Sequence, residues 1–559
     1  MRHHLPLFLI LALAAILRLT ALGQVPAGIT ADEVSQGYSA YSLLKTGKDE
    51  WGINSPLTSF RAFADYRAPL QTYLILPSVA LFGLTEFAVR LPSAIFGILA
   101  VLAVYLLTGE LFGRKKITIL GVELGIAEVA ALFMALSPWS IQFSRTALEA
   151  NFASFLFPLG FFLFLRGLRG NRTLLVLSAF VLALDLYSYL AAKLFVPLFL
   201  LSYLVFNRRQ IAQAGFRRLL PFIVVLALIA APIYLDTLFG PGNVRGKDLV
   251  ITNFSRENIK EISTEQYFSP LTKFSRELVR IFSNKLVFTV HQFIQNYVSY
   301  LSPTFWFTEG GREITYSVFP GYGLLPLWMF PLVIFALFRL FTNKEKNLPL
   351  LLFWLFLAII PAAITKEGYR PNRAGSLLGF WEIVAAYGFW QLLTGVKLFQ
   401  KKSVQVGLLS VCVISLVSYL NLYFFTSVAK YPTSLSYGYR DLMKKVSEVS
   451  DNYQQIIFDK GSQSQVFVAF YTRMDPATYQ KYSETWWSRI ESGNVLFLDM
   501  LDPYTLDKYI FKSFNRADLA KGNLVVIRGE KMNPDFEPFV VDSIKYPDQS
   551  TAFYLLTKK

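Results

Sequence analysis

The chain has 559 residues, of which 54% are hydrophobic and only 16% charged, and its mean hydropathy is +0.42. Soluble domains carry about 25% charged residues, so this composition excludes an ordinary soluble protein. A single cysteine, Cys412, excludes a disulfide framework and a cysteine metal site.

The net charge of +16 is unevenly placed: 17 Lys and Arg fall in short loops on alternate sides of apolar runs. From Lys430 onward, 17 Lys/Arg stand against 16 Asp/Glu. The excess is therefore a topology signal and implies no nucleic-acid partner.

In chain order, Leu5–Leu22 follows Arg2 and reads as an uncleaved signal-anchor with a cytoplasmic N-terminus, although Ala21-Leu22-Gly23 resembles a cleavage site. The next apolar run, Pro69–Leu84, is short and holds Pro77. Counting it as a span would put Arg114-Lys115-Lys116 outside. Laying it on the outer surface puts that cluster inside, with Arg166/Arg169/Arg172, Arg208/Arg209/Arg217/Arg218, Arg339/Lys344/Lys346 and Lys397/Lys401/Lys402. The expected spans are then 5–22, 90–108, 122–140, 152–168, 173–190, 191–206, 219–236, 319–340, 348–365, 374–396 and 404–426.

The expected fold class is a polytopic α-helical membrane protein of about 11 transmembrane helices, with a C-terminal extracytoplasmic α/β domain. Its domains would be a transmembrane domain, 1–429, with outer loops 23–89, 141–151, 237–318 and 366–373, and an extracytoplasmic domain, 430–559. Within 237–318, Leu271–Tyr300 has the spacing of an amphipathic helix on the membrane surface. In the tail, Gln455–Phe458, Val466–Tyr471, Val495–Leu498 and Leu524–Ile527 read as strands. It shows no phosphate-binding glycine loop or nucleophile elbow, which suits a lid or acceptor platform without catalytic residues.

The unusual polar chemistry gathers in the outer loops: Asp32-Glu33, Asp65-Tyr66-Arg67-Ala-Pro, Arg145-Thr-Ala-Leu-Glu149, and Lys366-Glu-Gly-Tyr-Arg370-Pro-Asn-Arg373. Asp185 and Lys193 lie near the same side, whereas Glu123 and Glu128 lie toward the inner half of the third span. A charge at membrane depth is costly and usually faces a cavity or partner. A carboxylate near the water boundary can deprotonate an acceptor hydroxyl, and Arg or Lys can hold a phosphate and stabilise the charge it gains on leaving. These parts suit transfer of a sugar from a lipid phosphate, and composition alone equally allows a lipid-linked-sugar transporter or flippase.

The order of Asp-Glu, Arg-x-Pro, an Arg-Leu-Pro-Ser-Ala opening at Arg90 and Arg-x-x-x-Glu resembles the dolichyl-phosphate-mannose protein mannosyltransferases and the bacterial aminoarabinose transferases of the glycosyltransferase C superfamily. The resemblance is strongest over about the first 210 residues. It implies a catalytic role for Asp32 as base, with Glu33 its structural or acceptor-orienting neighbour and Glu149 a second-loop acidic residue. It implies donor-phosphate contacts for Arg67, Lys193, Arg370 and Arg373, and substrate contacts for Asp65, Tyr66, Arg145 and Tyr189, with Tyr187 in the same Tyr-rich turn.

The implied reaction is transfer of a sugar from a polyprenyl-phosphate donor, with inversion, to an extracytoplasmic protein, lipid or glycan acceptor. The expected partners are the bilayer, that donor and the acceptor. No tightly bound cofactor is implied, and a divalent metal at Asp32 and Glu149 is left open; His3, His4 and His291 form no cluster. The oligosaccharyltransferase cousins remain an alternative. Their Trp-Trp-Asp-Tyr-Gly signature is not matched here, where Trp486-Trp487 precedes Ser488-Arg489 and reads as domain core.

Overall fold

A computed structural model describes residues 5–63, 65–113, 115–273, 275–461, 463–493, 495 and 497–558; Arg2, His3, His4 and Arg114 lie outside them. The protein is mostly helical. Among the described residues, Glu86–Phe112, Glu149–Leu168, Phe216–Phe239 and Lys402–Lys430 are long and apolar enough to cross a membrane. Two bent pairs raise these 4 to 6: Ile126–Leu136 with Pro138–Arg145, bent 58°, and Leu190–Phe206 with Arg208–Ala214, bent 86°. The expected count of about eleven is not reached by length and apolarity alone. The expected spans at Leu5–Leu19, Arg172–Leu186, Met329–Thr342, Leu348–Ala363 and Phe380–Gly395 are helices of 15, 15, 14, 16 and 16 residues. At a 1.5 Å rise these are roughly 21–24 Å long, against the ~30 Å of a hydrocarbon core. The shortening has local causes: helix Arg172–Leu186 ends at Tyr187 rather than running on to 190, and Gly379 takes a left-handed φ of 95° before Phe380, where the expected span began at 374. The run 69–84 becomes helix Leu70–Phe82, 13 residues long.

Two hairpins and one sheet complete the chain. The hairpins are β1 (Phe60–Ala62) with β2 (Asp65–Arg67), and β3 (Lys116–Ile119) with β4 (Val122–Gly125). Thus 122–125, expected to open a span, is strand, and Glu123 pairs with Lys116 across the hairpin at 2.7 Å. The tail forms a six-stranded sheet of β5 (Gln455–Asp459), β6 (Tyr504–Leu506), β7 (Tyr509–Lys512), β8 (Asn523–Arg528), β9 (Val540–Lys545) and β10 (Thr551–Leu556), ordered β6-β7-β5-β8-β10-β9. The central β5 is parallel to both β7 and β8.

Two of the four expected tail strands are present, as β5 and β8. The run 466–471 lies instead in helix Ser464–Thr472, whose residues Ser464–Phe470 are all buried. Burial on every side erases the alternation that separates strand from helix. At 495–498, Val495 and Phe497 carry no strand and Leu498 opens a turn through Met500, while Leu496 lies outside the described residues. The segment 271–300 is two helices, Arg276–Phe282 and Lys285–Ser299, because the Asn284 side chain accepts from the amides of Leu286 and Val287 and starts a new helix.

The chain forms two compact units: Leu11–Leu99, Ile141–Phe152 and Ser410–Lys559 make one, and Met1–Ile10, Ala100–Ser140 and Ala153–Leu409 the other. In the first, one apolar core joins the loop after the first helix to the tail. Val34, Tyr38, Trp51 and Ile75 pack in the same cluster as Phe467, Tyr479, Trp486 and Phe511. In the second, helices Ala153–Leu168 and Arg172–Leu186 pack closely, with Gly160 set against Leu182 and Gly167 against Leu175.

Candidate active site

Asp32 and Glu33 open helix Ala31–Thr46, whose first turn carries a reciprocal cap. The Thr30 hydroxyl accepts from the Glu33 amide at 3.2 Å, and the Thr30 amide donates to Glu33 Oε2 at 3.0 Å. Glu33 is fully buried and holds Arg90 at 2.9 Å, while the Ala147 amide donates to its Oε1 at 3.0 Å. Arg90 also donates to the carbonyls of Pro26 and Gly28. One carboxylate thereby ties together the capped helix, the Arg-Leu-Pro-Ser helix and the second outer loop. Its oxygens are thereby engaged within the scaffold.

Asp32 is half-buried in that turn. Hairpin β1–β2 delivers Arg67, whose guanidinium donates to the Asp32 carbonyl at 3.0 Å and to the Ser35 hydroxyl at 2.6 Å. Arg67 is 5% exposed, and both acceptors are neutral, so neither cancels its charge. Gln36, one helical turn beyond Asp32 and on the same face, donates to Glu149 Oε1 at 3.3 Å. Asp32, Arg67 and Glu149 are thus gathered around one end of one helix.

Three expected substrate contacts, Arg145, Tyr66 and Asp65, make contacts within the protein. The Arg145 side chain is wholly buried and donates to the carbonyls of Leu17, Thr20 and Val25 at 2.9, 2.7 and 2.7 Å, with its guanidinium 4.7 Å from the Phe424 ring. It closes the end of the first helix, where free carbonyls need donors. Tyr66 is 8% exposed and packs edge-on to Trp487. Asp65 accepts from the Tyr66 amide at 2.7 Å.

Sequence reasoning missed Asp49 and Glu50, both fully buried. The Ser35 hydroxyl that receives Arg67 donates to Glu50 Oε1. Asp49 accepts from the amides of Trp51 and Ile53, each at 2.9 Å. Burial pushes Asp49 up to about 6 and Glu50 up to about 8, the nearby Arg67 charge and the Ser35 hydrogen bond opposing the rise at Glu50. The available signal was the dipeptide itself: Asp49-Glu50 repeats Asp32-Glu33 within one outer loop.

The remaining cations lie in the other unit. Lys193 donates to the Thr237 hydroxyl at 3.0 Å, the Tyr187 hydroxyl to the Ile229 carbonyl at 2.7 Å, and the Asn372 amide to the Tyr189 hydroxyl at 3.1 Å. Arg370 pairs with Glu313 and Glu367; burial, then neighbouring Arg373, lower its pKa. Arg373 donates to the Thr365 hydroxyl at 2.7 Å and the Glu367 carbonyl at 2.9 Å. Arg370, Glu313 and Glu367 line a cleft of about 490 Å³ with Arg312, Asn296 and Lys366. Asp185 accepts from the Ser188 hydroxyl at 2.9 Å. Among the described residues, no group of three or more His, Cys, Asp or Glu stands close enough to hold a metal ion.

Residues 66–235 match the model of a family described as dolichyl-phosphate-mannose-protein mannosyltransferase. The Bacillus subtilis (strain 168) protein named "Putative mannosyltransferase YkcB" is 28% identical over 178 residues, which is 30% of this chain and 23% of YkcB. The chain thus matches less than a quarter of that curated relative. The crystal structure of ArnT from Cupriavidus metallidurans bound to undecaprenyl phosphate superimposes with a TM-score of 0.52 at 13% identity, over 98% of this chain and 97% of ArnT. The matched residues take in Arg67, the Arg-Leu-Pro-Ser opening at Arg90 and the Arg145–Glu149 loop but not Asp32-Glu33: over residues 66–235 the chain is similar to the dolichyl-phosphate-mannose-protein mannosyltransferases, and its fold is similar to that of ArnT.

Proposed function

We propose that the protein is a membrane glycosyltransferase that moves a sugar from a polyprenyl-phosphate donor to an acceptor hydroxyl outside the cytoplasm. The observation that carries this reading is a buried Arg67 held by two neutral acceptors, the Ser35 hydroxyl and the backbone carbonyl of Asp32, at the helix turn that carries the Asp32 carboxylate. The acceptor oxygen attacks the anomeric carbon from the face opposite the phosphate, and its proton passes to the Asp32 carboxylate. The bond between the anomeric carbon and the phosphate oxygen breaks with its electrons on that oxygen, so polyprenyl phosphate leaves and the centre inverts. Arg67 stabilises the negative charge that grows there. Glu149, reached through Gln36, orients the acceptor or the donor sugar. Glu33 and Arg145 are scaffold. Lys193, Arg370 and Arg373 remain candidates for the donor phosphate, the last two requiring rearrangement of their present contacts.

The family description names a dolichyl-phosphate-mannose enzyme, and the ArnT crystal holds undecaprenyl phosphate; both support a lipid-phosphate donor. The alternation of basic loops supports about eleven spans, a cytoplasmic N-terminus and an outer tail from residue 430. Single cysteines placed in a Cys412→Ser background at Ser447 and at Lys401 test this. The first should react with an impermeant maleimide in intact cells and the second should not; the reverse pattern overturns the sidedness.

The activity test uses purified protein in detergent, where no compartment exists and a flippase has nothing to do. With labelled undecaprenyl-phosphate mannose and a cell-envelope acceptor fraction, sugar should move to the acceptor. Asp32→Asn should lower the rate by about 10²–10⁴-fold, the usual worth of a general base, with unchanged thermal unfolding. Full activity in Asp32→Asn removes Asp32 from the base role.

A further inference from the structure

The Asp49-Glu50 pair is buried, acidic and unused by the mechanism above, yet it lies directly behind Arg67. The Ser35 hydroxyl bridges the two, donating to Glu50 Oε1 and accepting from the Arg67 guanidinium at 2.6 Å. Ser35 and Glu50 are both wholly inaccessible. The backbone of the pair is held by helix Pro476–Gly493 of the tail: Gln480 Nε2 donates to the Asp49 carbonyl at 3.1 Å, and the Ser483 hydroxyl to the Glu50 carbonyl at 3.2 Å. Trp51 is clasped edge-on between Trp486 and Trp487, each with ring centroids 6.1 Å away. Every one of these residues belongs to the same compact unit.

We propose that Glu50 is a positioning residue for Arg67, holding its guanidinium beside Asp32 through Ser35, and that the tail helix in turn holds Glu50. This rests on the reading of Arg67 as the donor-phosphate cation. The tail is then no passive lid, since part of the site's geometry is anchored on it.

The protonation state of Glu50 matters to this task. The charged and titratable groups facing it are Arg67, Asp49 and the phenols of Tyr38 and Tyr479, which are both held neutral well above neutral pH. With burial pushing Glu50 up to about 8, it is a neutral acid below that pH and anchors Ser35 without cancelling the Arg67 charge. Above that pH an ionised Glu50 offsets Arg67, and phosphate is held less well. A phosphate anion bound at Arg67 also favours the protonated form of Glu50, so the two events are linked.

The test measures undecaprenyl phosphate binding to the full-length protein in detergent from about pH 6.5 to about pH 9.5, a window spanning a buried carboxyl's raised range. The wild-type Kd should weaken through about pH 8. Glu50→Gln, which keeps the shape and cannot ionise, should lose that step, and taking the ratio of the two removes the titration of the lipid's own phosphate. Glu50→Ala and Ser35→Ala should weaken binding at neutral pH by about tenfold, the scale of one charge-assisted hydrogen bond. In an Arg67→Ala background, Glu50→Gln should change nothing, because the coupled partner is gone.

Thermal unfolding of each variant separates lost fold from lost positioning. Identical pH profiles for wild type and Glu50→Gln overturn the proposal, as does a Glu50→Gln effect that persists without Arg67. A wild-type protein that binds no undecaprenyl phosphate overturns the donor reading and this inference with it; bound lipid with indifferent Glu50 variants overturns this inference alone.

Discussion

Arg67 and Arg370 both come from outer-loop motifs, yet their surroundings differ in a way that decides what each can hold. Arg67 donates to a backbone carbonyl and a serine hydroxyl, and the carboxyl behind it is reached only through that serine. Arg370 is met directly by Glu313 and Glu367, with Arg373 turned onto the same Glu367 segment. A guanidinium on neutral acceptors keeps its net charge and still attracts an anion. One between two carboxylates has been neutralised, and phosphate must first displace them. The same residue type at two motif positions is therefore a charge in one unit and a joint in the other.

The largest effect expected from this comparison concerns the scaffold under Arg67. Arg90→Ala leaves Glu33 buried and unpaired, and losing one partner of a buried pair costs about 3–5 kcal/mol. Its thermal unfolding should fall well below that of Arg370→Ala, whose carboxylate partners are 43% and 56% exposed and can turn to water. Equal unfolding temperatures would show that Glu33–Arg90 is no keystone.

Next comes function: Arg67→Ala should weaken undecaprenyl phosphate binding by about 10–100-fold, the range for hydrogen bonds to charged groups. Arg67→Lys should recover only part of it, because a single ammonium cannot reach both the Asp32 carbonyl and Ser35 as a planar fork does. Binding indifferent to Arg67 would erase the distinction between the two cations.

A smaller effect follows from the raised acids behind Arg67. Glu50 and Asp49 have folded-state values of about 8 and about 6, above their ordinary carboxyl values. The folded protein therefore binds more protons than the unfolded chain across that interval, and stability falls as pH rises through it. Wild-type unfolding temperature should drop from about pH 5 toward about pH 8, and Glu50→Gln should flatten the upper part of that drop. A variant that tracks wild type across the whole interval would show that Glu50 is ionised or absent from the linkage.

How legible this was follows from particular residues. Asp32 and Arg67 stand out in the sequence because charges next to apolar runs are costly. The Glu33–Arg90 pair was not legible because the two residues lie 57 positions apart, and no local pattern reports a buried ion pair. The Arg145 contacts were hidden for the same reason: its acceptors are carbonyls of the first helix and the turn after it, which any sequence supplies. Asp49-Glu50 was passed over although it repeats the Asp-Glu pair, since its burial comes from helix Pro476–Gly493, over 420 residues later. Helix Ser464–Thr472 read as a strand because complete burial removes periodicity, and the expected spans ran long because caps and prolines stop helices inside apolar runs.

The smallest effect is also the sharpest test of the opening contrast. If Arg370 is a joint, Arg370→Ala should change undecaprenyl phosphate affinity by less than about fivefold, because partly exposed ion pairs contribute about 1 kcal/mol or less. Removing its carboxylates should do the opposite. Glu313→Gln with Glu367→Gln frees the Arg370 guanidinium in a cleft that already holds Arg312 and Lys366, and an inorganic phosphate ion should then bind there more tightly than in wild type. That gain should vanish when Arg370→Ala is added. A loss of affinity above tenfold in Arg370→Ala alone, comparable to Arg67→Ala, would mean that the donor itself displaces Glu313 and Glu367. Glu313 and Glu367 would then be a latch on Arg370 that an incoming phosphate opens.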